Sequence, residues 1–117
     1  MINSSVPAKA IIQESTSRGY LAKQLYVVFT KPANGIGSVM ENLAAHLAFQ
    51  EKLETDGVIF AAGPKWTVDE QAWEGDGMVV IRARSLNEAK EIASRDPNLP
   101  GKAACRPVLP LCSSTAD

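Results

Sequence analysis

The chain has 117 residues, 45% apolar and 21% charged, and its twelve basic residues nearly balance thirteen acidic ones. This composition is typical of one globular domain and lacks the basic stripe with interleaved aromatic residues that nucleic-acid binding requires. The apolar runs are far shorter than the ~20 residues that span a bilayer, and no secretory signal is recognisable. We therefore expect a cytoplasmic protein with no nucleic-acid or membrane partner.

The first predicted elements are an N-terminal extension and a strand. Residues 1–21 mix small polar and apolar positions and are expected to form an extension that includes a short helix ending at Gly19. The stretch KQLYVVFT, residues 23–30, is rich in β-branched and aromatic residues and predicts the first strand.

A helix is predicted next, opened by Ser38 and Glu41. Their spacing is that of a capping box, in which each side chain accepts a hydrogen bond from a free backbone N–H of the first turn. The helix is expected to run to about Asp56, where Gly57 supplies the left-handed residue that commonly ends helices.

Two strands separated by a loop follow this helix. Residues 58–64, VIFAAGP, predict a short buried strand that Gly63 and Pro64 terminate. Residues 65–75 carry both tryptophans and predict a polar loop, and residues 76–85 predict a third strand. Arg82 and Arg84 lie two residues apart on that strand. Either their side chains are solvated, or they bind an anionic substituent of a ring substrate.

The last predicted elements are a helix and a strand. Ser85 and Glu88 form a second capping box, and the helix continues until DPNLPG ends it. Residues 103–111, AACRPVLPL, predict a proline-interrupted strand that belongs at a sheet edge.

The order β-α-β-β-α-β predicts an α+β fold, the ferredoxin-like split βαβ arrangement, over residues 22–112. Both helices then cover one face of a four-stranded antiparallel sheet. The other face needs a cover, and a second subunit is the simplest one. We expect a homodimer with two sheets face to face, a dimeric α+β barrel, and a disordered tail over residues 113–117.

His46 is the only histidine of the chain. A helical wheel gathers four apolar residues on one side of the first predicted helix: Met40, Leu43, Leu47 and Leu53. His46 and Gln50 fall inside that arc. Either the imidazole is a packed core residue with its nitrogens hydrogen-bonded, or the face borders a wet pocket where a base is useful.

Acid–base chemistry would need a carboxylate to orient the ring, and Asp96 is the best candidate. Asp-Pro is a common way to end a helix, which explains Asp96 without any function. Yet a carboxylate in the last helical turn opposes the macrodipole by ~0.3–1 kcal/mol. Asp56, at the end of the same helix as His46, is ~15 Å from it and is excluded.

Metal and redox chemistry have little support. Cys105 and Cys112 fit no CxxC redox or zinc pattern, and with one histidine in the chain we expect no all-protein zinc site. We expect reduced thiols, no metal and no cofactor.

Three stretches resemble the YCII-related (YciI-like) family: LYVVFT, HLAFQEKLETDGVIFAAGP and SLNEAKEIASRDP, within residues 23–97. The resemblance implies a dimer of ferredoxin-like subunits and a pocket with a histidine–aspartate pair, here His46 and Asp96, with Gly63 and Pro64 in its wall. It also implies proton abstraction from, or elimination on, a small oxygenated ring. After Pro97 the chain departs from the family pattern, with three prolines and no aromatic residue.

Two functions are therefore considered. The first is a cofactor-independent lyase or isomerase for a small oxygenated ring or carbonyl compound, with His46 and Asp96 as its catalytic pair. Its substrate-binding residues are expected to be Gln50, Gly63, Pro64 and Trp66. The second is a non-catalytic small-ligand-binding or protein-interaction module. Trp66 or Trp73 could close over an aromatic substrate, or either could cap the core or the dimer seam.

Overall fold

The computed structural model describes residues 4–33, 35–97, 103–105 (backbone only) and 108–113. Its helices and strands are, in chain order, α1 Ala8–Ser17, β1 Gln24–Pro32, α2 Ile36–Glu41, α3 Leu43–Thr55, β2 Ile59–Trp66, β3 Trp73–Ile81, α4 Leu86–Ser94, β4 Ala103–Cys105 and β5 Leu109–Cys112. After α1 this is the βαββαβ order of a ferredoxin-like fold, with the first helix and the last strand each in two pieces.

The sheet is antiparallel, and β1 lies inside it. Its strand order is β2-β3-β1-β4, and β5 also pairs with β1. On one side β1 pairs with β3, so that Tyr26 lies opposite Ile81. The α+β class and the ferredoxin-like topology predicted from the sequence are thus confirmed.

The predicted last strand is present as two short segments that pair with successive parts of β1. β4 lies opposite Thr30–Pro32, and β5 lies opposite residues 24–27. The expected position at an edge is confirmed, since neither segment has another strand neighbour in the described sheet. Of the predicted tail, residues 114–117 lie outside the described residues.

The side chains of β1 divide between the two faces of the sheet. Tyr26 and Val28 pack with Ile81 and with Ala89 and Ile92 of α4 in the main core. On the opposite face Leu25, Val27 and Val80 form a second buried cluster. Alternation along the strand produces this division, because successive side chains of a β-strand point to opposite faces.

The helix predicted from Ser38 to about Asp56 is two helices. α2 begins at Ile36 without a side-chain cap, and Asn42, with φ −107° and ψ 7°, separates it from α3. Ser38 lies inside α2, so the capping box predicted for it and Glu41 is wrong. The amide of Asn42 donates to the carbonyl oxygen of Ser38 at 3.0 Å, which stabilises the break.

Two other helix boundaries follow the prediction. Gly57 has φ +76° and terminates α3, as expected of a left-handed residue at this position. Residues 8–17 form α1 within the N-terminal extension. No helix of the described residues is long and apolar enough to cross a membrane.

The loop predicted over residues 65–75 is shorter in the structure. β2 extends to Trp66 and β3 begins at Trp73, and these two residues are cross-strand partners. The turn between them is held by the Thr67 hydroxyl, which donates to Oδ1 of Asp69 at 2.6 Å. This hydroxyl, followed by the backbone N–H of Gln71, lowers the pKa of Asp69.

The third strand ends at Ile81, before both arginines that were predicted to alternate on it. The Arg82 guanidinium donates to the carbonyl oxygen of Ile59 at 2.8 Å and stacks over the ring of Phe60. Arg84 Nε donates to Glu88 at 2.8 Å. Both cations are thus engaged in local contacts.

The capping box at the start of α4 is confirmed for its serine. Ser85 Oγ accepts from the backbone N–H of Glu88 at 3.1 Å. The Glu88 carboxylate accepts from the Arg84 N–H, one residue before the expected position. That N–H, followed by the Arg84 guanidinium, lowers the pKa of Glu88. The resulting stabilisation is present at neutral pH and is lost as the pH falls through the folded-state pKa.

Substitution of the two serines tests which of them caps a helix. We expect Ser85→Ala to lower the free energy of unfolding by about 1 kcal/mol, because the Glu88 N–H loses its acceptor. Ser38→Ala, in the interior of α2, is expected to change it by less than about 0.5 kcal/mol. Urea unfolding of both variants measures the difference, and equal effects would contradict the assignment.

Candidate functional site

A cavity of about 240 Å³ lies between α3 and the sheet. We call it the main cavity. From α3 it is lined by Leu43, His46, Leu47 and Gln50. The strands contribute a second set of lining residues, which includes Thr30, Gly63, Pro64, Trp66, Trp73 and Gly77. Its wall is therefore mostly apolar, with a few polar groups.

His46 and Asp96 meet beside this cavity, although they are 50 residues apart in the chain. Nδ1 of His46 lies 2.8 Å from Oδ1 of Asp96. The side chains are 16% and 9% exposed, respectively. An ionised carboxylate can only accept hydrogen bonds, so Nδ1–H is the donor.

The second ring nitrogen of His46 has a different environment. Nε2 makes no hydrogen bond to any residue that the structure describes. His46 lines the main cavity whereas Asp96 does not. Because the two nitrogens point away from each other across the ring, Nε2 is the one that can face a bound molecule.

The helix ends bring the pair together. His46 lies in the first half of α3, and Asp96 follows α4 directly, with its backbone N–H donating to the carbonyl oxygen of Ala93 at 3.2 Å. Asp56 lies elsewhere, at the C-cap of α3, where its carboxylate pairs with Lys52 at 3.1 Å. Its exclusion as a partner agrees with this geometry.

The four residues predicted to bind substrate all line the main cavity: Gln50, Gly63, Pro64 and Trp66. Trp66 is 55% exposed and lies at the rim. Its partner Trp73 is half-buried, and the indole N–H of Trp73 donates to the carbonyl oxygen of Asp76 at 2.7 Å. Both tryptophans therefore line the cavity, although the sequence placed them in a loop.

Thr30 is a cavity residue that the sequence analysis missed. It lies on β1 two residues after Val28 and therefore on the same face of the sheet, towards the helices. The alternation of YVVFT contains this signal, because residues 26, 28 and 30 of a strand share one face and Tyr26 and Val28 lie in the main core. A second cavity of about 20 Å³ is lined by Thr30, Gln50 and Asp96, among others.

The charges around the main cavity are few. No lysine or arginine lines it among the described residues. Asp76 contributes to the wall, and its carboxylate pairs with Lys65 at 3.4 Å. Within the described ranges no cluster of three His, Cys, Asp or Glu side chains is arranged to hold a metal ion.

The family model of the YCII-related domain matches residues 24–111. The chain belongs to this family.

One solved structure has the fold of this YCII-related domain, the 5-chloro-2-hydroxyhydroquinone dehydrochlorinase TftG from Burkholderia phenoliruptrix AC1100 in complex with 2,5-dihydroxybenzoquinone. The two superpose with a TM-score of 0.53 and 24% sequence identity, over 70% of this chain and 90% of that chain. A comparison with curated proteins found no match.

Two glycines that line the main cavity of the YCII-related domain differ in whether a side chain would fit at their position. Gly75 has φ +97°, and a Cβ there would overlap Cγ of Pro32. A Cβ at Gly63 would meet nothing within 4 Å. Of these two positions, only position 75 therefore needs a glycine.

We expect Gly75→Ala to lower the free energy of unfolding by about 1–3 kcal/mol, through overpacking and an unfavourable φ. Gly63→Ala is the matched control and is expected to be neutral or slightly stabilising. Thermal and urea unfolding measure both variants. A tolerated alanine at position 75 would contradict the geometry described for Pro32 and Gly75.

Proposed function

We propose that this YCII-related protein is a cofactor-independent lyase or isomerase that moves a proton on a small oxygenated ring or carbonyl compound. His46 is the acid–base group and Asp96 orients it. The observation that carries the proposal is the 2.8 Å contact between Nδ1 and Oδ1 beside a cavity of about 240 Å³.

The tautomer of the ring follows from this contact. With Nδ1–H donating to the carboxylate, the lone pair is on Nε2, which is the nitrogen available to the cavity. Asp96 also stabilises the imidazolium that forms when Nε2 takes a proton. A positioned general base of this kind contributes ~10²–10⁴-fold in rate.

The size and walls of the cavity favour a single ring. An engineered apolar cavity of about 150 Å³ binds benzene, so about 240 Å³ has room for one ring with a few oxygen substituents. Trp66 and Trp73 supply aromatic surface on which such a ring can stack. The chlorinated hydroxyhydroquinone named for TftG is therefore a reasonable first substrate to assay.

Turnover of 5-chloro-2-hydroxyhydroquinone, measured as chloride release, is the first test. We expect His46→Ala to lower kcat by about 10²–10⁴-fold, and Asp96→Asn to lower it by a smaller factor. Asp56→Asn, which changes an exposed carboxylate on the same helix, is the matched control and is expected to retain full activity. Unchanged turnover by His46→Ala would remove the histidine from the mechanism.

Ligand binding distinguishes the second function. If the protein binds small ring compounds without turning any over, and the His46→Ala variant binds them equally well, the domain is a non-catalytic binding module. The ¹⁵N spectrum of the single imidazole gives an independent check without a substrate. A neutral ring protonated at Nδ1, and a change of tautomer in Asp96→Asn, are expected.

We also propose that the protein is a homodimer whose subunits meet through the sheet face opposite the helices. On that face the exposed apolar side chains are Phe29, Met78, Leu109 and Leu111. They surround the buried cluster of Leu25, Val27 and Val80. An apolar sheet face of this kind is self-complementary around a two-fold axis, and large exposed patches mark interaction surfaces.

A charge placed on this face tests the dimer. Leu109→Glu puts two like charges into a two-fold interface and is expected to raise the dimer dissociation constant about a hundredfold, as measured by analytical ultracentrifugation. Met40→Glu changes an equally exposed apolar residue on α2 and is expected to leave the dimer intact. A monomeric wild-type protein, or a dimer insensitive to Leu109→Glu, would contradict the proposal.

A further inference from the structure

We propose that Thr30 and Gln50 form a pair of neutral hydrogen-bond donors that holds the substrate oxygen on which negative charge develops. This inference rests on the proposed function and narrows its substrate class. The substrate would carry a carbonyl or phenolic oxygen conjugated to the carbon that exchanges its proton with His46.

The first argument is position. Thr30 on β1 and Gln50 on α3 both line the main cavity and also the cavity of about 20 Å³ that reaches Asp96. They therefore belong to the wall that the two cavities share. Gln50 follows His46 by four residues, one helical turn, so both side chains lie on the same face of α3.

The second argument is hydrogen-bonding capacity. Within the part of the chain that the structure describes, neither the Thr30 hydroxyl nor the Gln50 amide has a hydrogen-bond partner. Polar groups in such half-buried places are normally paired. The Trp73 indole, in contrast, is already bonded to Asp76. Thr30 and Gln50 are thus uncommitted donors in the wall that the two cavities share, whereas the Trp66 indole, also without a partner among the described residues, lines only the main cavity.

Gly77 supplies the third argument. A Cβ at this position would lie 3.2 Å from Oγ1 of Thr30 and 3.4 Å from the carbonyl oxygen of Gly63. Any larger residue would cover the hydroxyl from the neighbouring strand. Glycine leaves it uncovered on the cavity side of the sheet.

The chemistry requires such donors. When the substrate C–H bond breaks, the proton forms a bond with Nε2 and the electron pair moves onto the conjugated oxygen. In the second half of the reaction the pair returns, and either another carbon takes the proton or a leaving group departs with its electrons. No lysine or arginine lines the described cavity, so beside the imidazolium formed on His46 the groups placed to stabilise the oxyanion are neutral O–H and N–H donors.

The test uses 4-nitrophenol, whose phenolate oxygen imitates an enolate oxygen and absorbs visible light. The wild-type protein is expected to bind the phenolate in preference to the phenol. Thr30→Val and Gln50→Met are each expected to weaken phenolate binding about tenfold, as the loss of a hydrogen bond to a charged group predicts. Thr30→Ser restores the hydroxyl and is expected to bind within threefold of the wild type.

Matched controls are Thr55→Val and Gln13→Met, both exposed and outside the cavity, and thermal unfolding verifies that each variant is folded. The proposal is overturned if the wild type does not favour the phenolate, or if Thr30→Val and Gln50→Met bind as the wild type does. Because the measurement is binding, it is independent of turnover. If both variants lose phenolate binding but the wild type turns over no substrate, the proposed reaction is contradicted. The assignment of Thr30 and Gln50 as an oxygen-binding pair then still holds.

Discussion

Burial of the Asp96 carboxylate is the constraint on which the candidate site depends. Asp96 is 7% exposed and lies just beyond α4, where the last helical carbonyls already carry partial negative charge. A carboxylate in such surroundings is unfavourable unless donors meet it, and Nδ1 of His46 is one that does. The same contact connects α3 to the end of α4 and fixes the orientation of the ring. One hydrogen bond thus serves the packing of two helices and the chemistry of the cavity.

The topology could be predicted from the sequence because alternating and β-branched stretches are strong signals, whereas several boundaries depend on contacts that no local pattern contains. Asn42 breaks the first helix although it is neither proline nor glycine, and its amide bond to Ser38 forms only in the fold. Trp66 and Trp73 were assigned to a loop because their neighbours are polar, yet cross-strand pairing extends the hairpin to both of them.

The candidate site, like the fold, could be predicted from the sequence only in part. A helical wheel placed His46 on the face of α3 that borders the cavity, together with Leu47, which is 47% exposed there. It did not hold for Met40, which lies on the separate helix α2 and does not line the cavity. Asp96 was a candidate partner from its place at the end of a helix, and the resemblance to a family supported the pair, since nothing local connects residues 50 positions apart. Thr30 was accessible to simple strand alternation. Its hydroxyl carries no charge, so no acid–base pattern marks it in the sequence.

The stretch EGDGMVV explains why a cavity exists at this place at all. Glycine inside a strand destabilises it by roughly 0.5–1 kcal/mol relative to alanine, so two glycines in β3 need a reason. Gly75 makes room for the ring of Pro32, and Gly77 makes room for the Thr30 hydroxyl. Gly77 therefore removes side-chain volume from the helix-facing side of the sheet, next to the α3 face that carries His46, whereas the ring of Pro32 takes the space beside Gly75. A larger residue at position 77 would crowd the cavity beside Thr30, so Gly77 favours the interpretation of His46 as a residue that meets a ligand.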